Sequence, residues 1–374
     1  MNLFNVYSLF DITPVKAKGS YLWDDKGDQY LDLYGGHAVI SIGHTHPHYV
    51  KAITEQLQKI GFYSNSVKNP LQEKLAEKLG KLSSYEDYEL FLCNSGAEAN
   101  ENALKLASFV TGRKKVVAFH QSFHGRTSGA VAATDNPKIV SPFNAAHDVQ
   151  FIPLNDEDAL KKAVDDKTAA VIIEGIQGVG GINLVDDLFF QLLREVCDKN
   201  KALLILDEVQ SGYGRSGRFF AHQYASIKPD LITIAKGMGN GFPIGGVLIN
   251  HEIKPWVGEL GTTFGGNYLA CAAALAVLEV IEKENLSDNA LKIGNYLLEN
   301  VAKFTRLQKV RGKGLMIGFD VPEELKDLRQ KLLFDHKIFT GASGSYTIRL
   351  LPSLTLTKRQ ADEFLEALEE EVGR

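Results

Sequence analysis

The stretch ITIAKGMGNGFPIGG, Ile232 to Gly246, ends an apolar run in one lysine and follows it with glycines at 237, 239, 241, 245 and 246. Lysine is almost never fully buried without a partner. A desolvated lysine has a lowered pKa, and a neutral amine attacks a carbonyl carbon. The glycines leave space around Lys236 and let the backbone take unusual φ/ψ values. Lys236 is therefore a candidate for covalent catalysis through an imine. Asp207 lies 236 − 207 = 29 residues earlier, at the end of the aliphatic run LLIL, with Glu208 after it. A carboxylate at that depth must be paired or hydrogen-bonded.

Three further segments carry polar chemistry. CNSGAEANENALKLA closes a strand and opens a helix at Ser95, Gly96 and Ala97, where small residues leave backbone N–H groups free to hold a phosphate. HQSFHGRTSGA offers Phe123 to stack on a flat ring, His124, and Arg126 to grip a carboxylate with its fork. GTTFGGN places the hydroxyls of Thr262 and Thr263 in a glycine-flanked loop, a second phosphate grip. Each segment has a plain structural explanation: a snorkelling lysine, an N-cap serine, a core phenylalanine, an ordinary turn. Together, in this order and at strand ends, they form one device. A phosphate anchor, a stacking ring, a buried carboxylate and an imine-forming lysine are what pyridoxal phosphate needs, the carboxylate keeping the pyridine nitrogen protonated so that the ring accepts electrons.

The elements that must position these residues follow from hydrophobic pattern. The runs YELFLCN, KVVAFH, VQFIPL, AAVIIEG, ALLILDE, DLITIAK and GGVLIN alternate with helical patterns such as AEANENALKLASFVTG and LFFQLLREVCDKN. This predicts an α/β fold with a mostly parallel sheet covered by helices. Ligands then bind outside the carboxyl ends of the strands, where Asn94–Gly96, Glu174, Asp207, Glu208 and Lys236 fall. Residues 1–45 read as an arm that includes part of a small domain, 46–255 as the large domain, and 256–374 as a connecting helix and a small α+β domain.

The 374 residues carry a net charge of −5, and nothing in that balance calls for nucleic acid or an anionic membrane. Cys93, Cys197 and Cys271 are far apart and read as small buried apolar residues. With no secretion-signal pattern at its start and no apolar run long enough to span a bilayer, the chain is expected to be cytoplasmic. His44, His46 and His48 have no accompanying carboxylate cluster, so no metal is expected, and GIQGVGG lacks dinucleotide-loop spacing.

The chain resembles class III (omega-amino acid) aminotransferases of fold type I, and among them the acetylornithine aminotransferases. The matching segments are GGHAVISIGHTHP, YSN, CNSGAEANENALKLA, FHGRT, LILDEVQSGYGR, PDLITIAKGMGNGFPIGG, GTTFGGN and IRLLP, which span residues 35 to 352. The resemblance implies that Lys236 forms the imine and Asp207 pairs with the ring nitrogen. Gln210 would reach the ring 3-hydroxyl, with Val209 behind the ring and Phe123 over its other face. Ser95, Gly96 and Ala97 would hold the phosphate. Thr263 would add a hydroxyl to the partner subunit's phosphate, so a homodimer is implied, and Thr262 would lie near the substrate. Arg126 would bind the α-carboxylate of an acylated ornithine. Glu174 and Arg349 would act as a pair: the glutamate neutralises the arginine when the donor is bound and frees it for the α-carboxylate of 2-oxoglutarate.

The family's usual EPIQGEGG reads EGIQGVGG here, from Glu174 to Gly181; its usual Asn-Pro is Asn267-Tyr268, and a common second proline is absent from LLPSL. These changes touch substrate-facing loops and leave acetyl and succinyl both open as the acyl group. Transferases acting on ornithine or 4-aminobutyrate, a glutamate-semialdehyde aminomutase, and a non-catalytic ligand-binding relative also stay open.

Overall fold

The computed structural model describes residues 1–373. The seven apolar runs form one sheet, in the order Tyr88–Cys93, Gly245–Asn250, Leu231–Ile234, Leu203–Asp207, Thr168–Glu174, Lys115–Phe119, Val149–Ile152. Neighbours from Leu231–Ile234 to Val149–Ile152 pair in parallel, and Gly245–Asn250 runs antiparallel to both of its neighbours. The exception has a simple cause. Only a short loop separates Leu231–Ile234 from Gly245–Asn250, too little chain for the crossover that a parallel pair requires.

Both faces of this sheet are covered, and the side chains alternate between them. Val117, Phe119, Val171, Ile173, Leu204 and Leu206 pack with Phe189, Leu193 and Cys197 of the helix Asp187–Asn200. Ala118, Ala170, Ile172, Ile205 and Val247 pack with Ala99, Ala103 and Leu106 of the helix Gly96–Thr111. Every residue of Thr168–Glu174 is buried, as a strand covered on two sides must be.

Toward the C-terminus, Gln308–Lys313, Met316–Asp320, Thr347–Leu350 and Gly341–Ser343 form an antiparallel sheet. The helix Lys358–Val372 follows, opened by a capping box between Thr357 and Gln360. The start of the chain is tied to this end: Pro14–Lys18, Tyr21–Asp24 and Gln29–Asp32 share a sheet with Ile338–Phe339. A turn at Asp25-Lys26-Gly27 joins Tyr21–Asp24 to Gln29–Asp32, with Asp24 Oδ1 accepting the N–H groups of Lys26 and Asp28. Among the described residues no helix is long and apolar enough to cross a membrane.

Candidate active site

Parallel pairing brings the predicted residues to one edge of the sheet. Asp207 pairs in register with Glu174 on one side and Thr233 on the other, and Lys236 follows three residues after Thr233. Lys236 opens a short 3-10 turn, Lys236–Met238, at φ +44, a left-handed conformation uncommon for a side-chain-bearing residue. Gly239 allows that turn to close, because a Cβ there would lie 2.0 Å from the Phe242 carbonyl oxygen. A cavity of about 390 Å³ opens at this edge. Its lining includes Lys236, Asp207, Glu174, Phe123, Arg126, Val209 and Gln210, together with Ser95, Gly96 and Ala97.

Asp207 is held by three donors. Asn100 Nδ2 (2.8 Å) and His124 Nδ1 (2.7 Å) donate to Oδ2, and the Val209 N–H donates to Oδ1 at 3.0 Å. Asn100 is itself aimed by Thr233, whose hydroxyl donates to Asn100 Oδ1 at 2.7 Å. Sequence reasoning gave His124 no role and passed over Asn100. Asn100 lies on the buried face of the helix Gly96–Thr111, but in sequence it is one polar residue among several in that helix.

Burial sets the protonation of the two neighbours of Asp207. It depresses the Lys236 ammonium, as do the nearby Arg349 and Arg215, against the opposing pull of Asp207 and Glu174. It pushes the Glu174 carboxyl up to about 7, outweighing the stabilising His124 and the N–H groups of Gly178 and Phe123. Glu174 and Arg349 are not joined by an ion pair. Glu174 Oε2 accepts the Gly178 N–H at 2.9 Å, while Arg349 Nη1 donates to the Gly178 carbonyl at 2.9 Å, so one residue links both side chains through its backbone. Arg126 is exposed at the mouth and has no carboxylate partner among the described residues.

The remaining predicted residues separate. Ser95 caps the helix Gly96–Thr111, its hydroxyl accepting the Glu98 N–H at 3.2 Å. Thr262 Oγ1 accepts from Asn94 Nδ2 and from the Gly265 N–H and lines a neighbouring cleft with Asn65 and Gln72 rather than the main cavity. Thr263 is exposed and outside the lining of that cavity. The three histidines of HTHPH go to three different carboxylates: His44 to Asp32, His46 to Glu284, His48 to Glu279.

The aminotransferase class-III family model matches residues 5–372. The chain belongs to the class III aminotransferases. It is 42% identical over 370 residues to the acetylornithine aminotransferase of Archaeoglobus fulgidus, covering 98% of this chain and 97% of that protein. Identity to the acetylornithine aminotransferase of Bacillus subtilis is 40% over 381 residues, covering 100% and 98%. Among solved structures, an ornithine aminotransferase from Toxoplasma gondii superposes with a TM-score of 0.92 at 27% identity, covering 99% of this chain and 91% of that one. An acetylornithine aminotransferase from Elizabethkingia anophelis superposes with a TM-score of 0.85 at 29% identity, covering 98% and 95%.

This class III aminotransferase is a transaminase that uses pyridoxal phosphate. The residues present fit that cofactor. Gly96 packs so closely on Val209, which lines the same cavity, that a Cβ would lie 2.6 Å from Val209 Cγ1. The first-turn N–H groups of the helix Gly96–Thr111, which no helical carbonyl can satisfy, border the same space. Gln210 donates through Nε2 to the His37 carbonyl, whereas its Oε1 is buried without a partner in the cavity wall, suited to a hydroxyl donor.

Proposed function

We propose that the enzyme moves the δ-amino group of an N-acylornithine, with acetyl or succinyl as the acyl group, to 2-oxoglutarate. The products are the acylated glutamate semialdehyde and glutamate, as in arginine biosynthesis. The observation that carries this reading is the division of charge in one cavity. Lys236, Asp207 and Arg126 line it, Arg349 stands behind Glu174 of its wall through the Gly178 carbonyl, and neither arginine has a carboxylate partner among the described residues. The relatives at about 40% identity, acetylornithine aminotransferases, support the same assignment.

When bound, pyridoxal phosphate supplies an aldehyde for amine capture and a ring that accepts electrons. Ser95, Gly96 and Ala97 would hold its phosphate, Phe123 and Val209 would lie against its ring, and Gln210 would accept from its hydroxyl. Asp207, fixed by Asn100 and His124, keeps the ring nitrogen protonated. The Lys236 Nζ takes a proton from the donor's δ-carbon and later returns it, acting as base and then as acid. Arg126 holds the donor's α-carboxylate. Arg349 takes the α-carboxylate of 2-oxoglutarate, and Glu174, poised near neutrality, supplies or withdraws its counter-charge.

Thr263 serves the partner subunit's phosphate in a homodimer. Exposed apolar side chains beside it, Phe264 with Phe62 packed on it and Tyr63 next in the chain, support an interface there. The enzyme works in the cytoplasm on small molecules, with no nucleic acid or membrane partner. A half-reaction screen tests the reading: N-acetylornithine, N-succinylornithine, ornithine and 4-aminobutyrate are each mixed with the cofactor-loaded enzyme and the cofactor absorbance is followed. Conversion by an acylated ornithine at a kcat/KM well above that of free ornithine is expected. Preference for ornithine or 4-aminobutyrate refutes it.

A further inference from the structure

Beside the cavity the chain makes a turn that the transfer reaction as described does not use. Gly35, Gly36, His37 and Ala38 all have positive φ, from +54 to +66, and the turn closes through Ala38 N–H to the Tyr34 carbonyl and Val39 N–H to the Gly35 carbonyl. Left-handed backbone is unfavourable for His37 and Ala38, and strain of this kind gathers at functional sites. The turn is bound to the site, because Gln210 Nε2 donates to the His37 carbonyl at 3.1 Å and Val39 lines the cavity. Its effect is to hold the exposed His37 imidazole two residues before Val39 of the cavity wall, 4.8 Å from the Tyr34 ring and hydrogen-bonded to the Tyr34 hydroxyl.

Two arginines meet this turn from the other side. Arg329 Nε donates to the Thr340 carbonyl at 3.2 Å, and Arg349 Nε donates to the Ala342 carbonyl at 3.0 Å. Carbonyls two residues apart in extended chain point the same way, about 7 Å from each other. Between them, at Gly341, a Cβ would lie 2.9 Å from the Tyr34 ring, so that ring is laid against the same segment. The half-buried Arg329 guanidinium also lies 5.3 Å from the Phe10 ring centroid. Neither arginine has a carboxylate partner among the described residues. Val179, where the family's usual motif has a glutamate, lines the cavity beside them. The result is a row of two cations, a phenol and an imidazole along the turn that leads into Val39 of the cavity wall, a rim in which Arg349 is shared with the α-carboxylate site and Arg329 is the added cation.

We propose that Arg329, with Tyr34 and His37 beside Arg349, binds a carboxylate at the far end of the donor's acyl group, so that a dicarboxylic acyl group such as succinyl is preferred over acetyl. This deepens the N-acylornithine reading and rests on it. An acetyl group presents only a methyl to this rim, whereas a succinyl group presents an anion that the guanidinium fork and the phenol can share. No bond is made or broken at the rim; its contribution is to donor affinity and selectivity.

The test compares wild type with Arg329→Gln and Arg329→Lys, each loaded with cofactor. Half-reactions are run with N-succinylornithine, N-acetylornithine and, from the aminated enzyme, 2-oxoglutarate. Wild type should favour the succinyl donor, and Arg329→Gln should lower the succinyl-to-acetyl ratio of kcat/KM roughly 10- to 100-fold, the range for a lost charge-assisted hydrogen bond. Arg329→Lys should keep part of the ratio, since it keeps charge but not the fork. Calorimetric binding of N-succinylnorvaline and N-acetylnorvaline, which lack the reacting amine, should show the same change in Kd ratio. A wild type that favours acetyl, a ratio unmoved in Arg329→Gln, or a loss confined to 2-oxoglutarate overturns the proposal while leaving the N-acylornithine reading intact. A wild type that turns over neither acylated donor overturns that reading and this proposal with it.

Discussion

Replacing Glu174 by glutamine should change the protein's stability in a pH-dependent way whose size follows from burial. In the folded chain this carboxyl holds its proton up to about pH 7, against an ordinary value of 4.5. Between those values the folded state binds more protons than the unfolded one, so stability falls as pH rises and levels off above the folded pKa. The penalty is about 0.8 kcal/mol at pH 5 and about 3.3 kcal/mol at pH 8, a difference of about 2.5 kcal/mol. Glutamine never ionises and escapes it. Glutamine also has one acceptor where Glu174 has two, and both are in use, by the Phe123 and Gly178 N–H groups. One N–H is left unsatisfied, a cost of about 1–3 kcal/mol at every pH. Glu174→Gln should therefore be level with or less stable than wild type at pH 5 and should gain about 2.5 kcal/mol relative to it by pH 8. Urea unfolding of the cofactor-free proteins at one fixed concentration, at pH 5, 6, 7 and 8, measures this. A stability difference that is flat across the series, or that moves against the variant, refutes the account of Glu174 as a carboxyl shifted by desolvation.

Three other outcomes are expected. Lys236→Ala should slow the half-reaction by at least about 100- to 10,000-fold, the worth of positioned proton transfer; single-turnover absorbance near the wild-type rate would contradict it. Gly96→Ala puts a methyl 2.6 Å from Val209 Cγ1 and should cost about 1–3 kcal/mol of stability and weaken cofactor binding, with Val209→Ala in the double variant restoring part of both in urea unfolding and cofactor titration. Burial pushes the thiols of Cys93, Cys197 and Cys271 up to about 12, so only about one in ten thousand is thiolate at pH 8. Thiol reagents should leave all three unlabelled in the native protein and label all three in urea.

The large sheet was legible because its strands are covered on both faces. A run such as AAVIIEG has no polar position to disguise it, and all seven runs became strands of the one sheet. The residues at the ends of those runs were legible for the same reason: Asp207 and Lys236 contradict the apolar pattern they terminate. What escaped notice does not break a pattern. PVKAK, the strand Pro14–Lys18, is mostly exposed and is defined by its pairing with Tyr21–Asp24. The left-handed turn at Gly35–Ala38 is half glycine in sequence, but nothing local announces that His37 and Ala38 share its conformation. Asn100 is one asparagine in a helix rich in polar residues, and its role exists only because Thr233, 133 residues away, and Asp207 converge on it. Arg329 and Arg349 likewise become neighbours only when one extended segment supplies carbonyls to both.

One physical cause explains the two titrations that matter most in this cavity. Removing Lys236 and Glu174 from water disfavours the charged form of each, so the amine is driven toward neutrality and the carboxyl toward its acid. The same desolvation therefore prepares a nucleophile and leaves Arg349 without a permanent counterion, and it does so without a direct bond among the three. Asp207 lies in the same register, and three donors point at it and supply what water no longer does. Asp207 and Glu174, adjacent across one pair of strands, thus differ in the count and type of their donors. Two backbone N–H groups leave Glu174 near neutrality at physiological pH, where its charge can be lent to Arg349 or withheld. At Asp207 an imidazole and an amide join one backbone N–H and fix the direction in which the carboxylate faces.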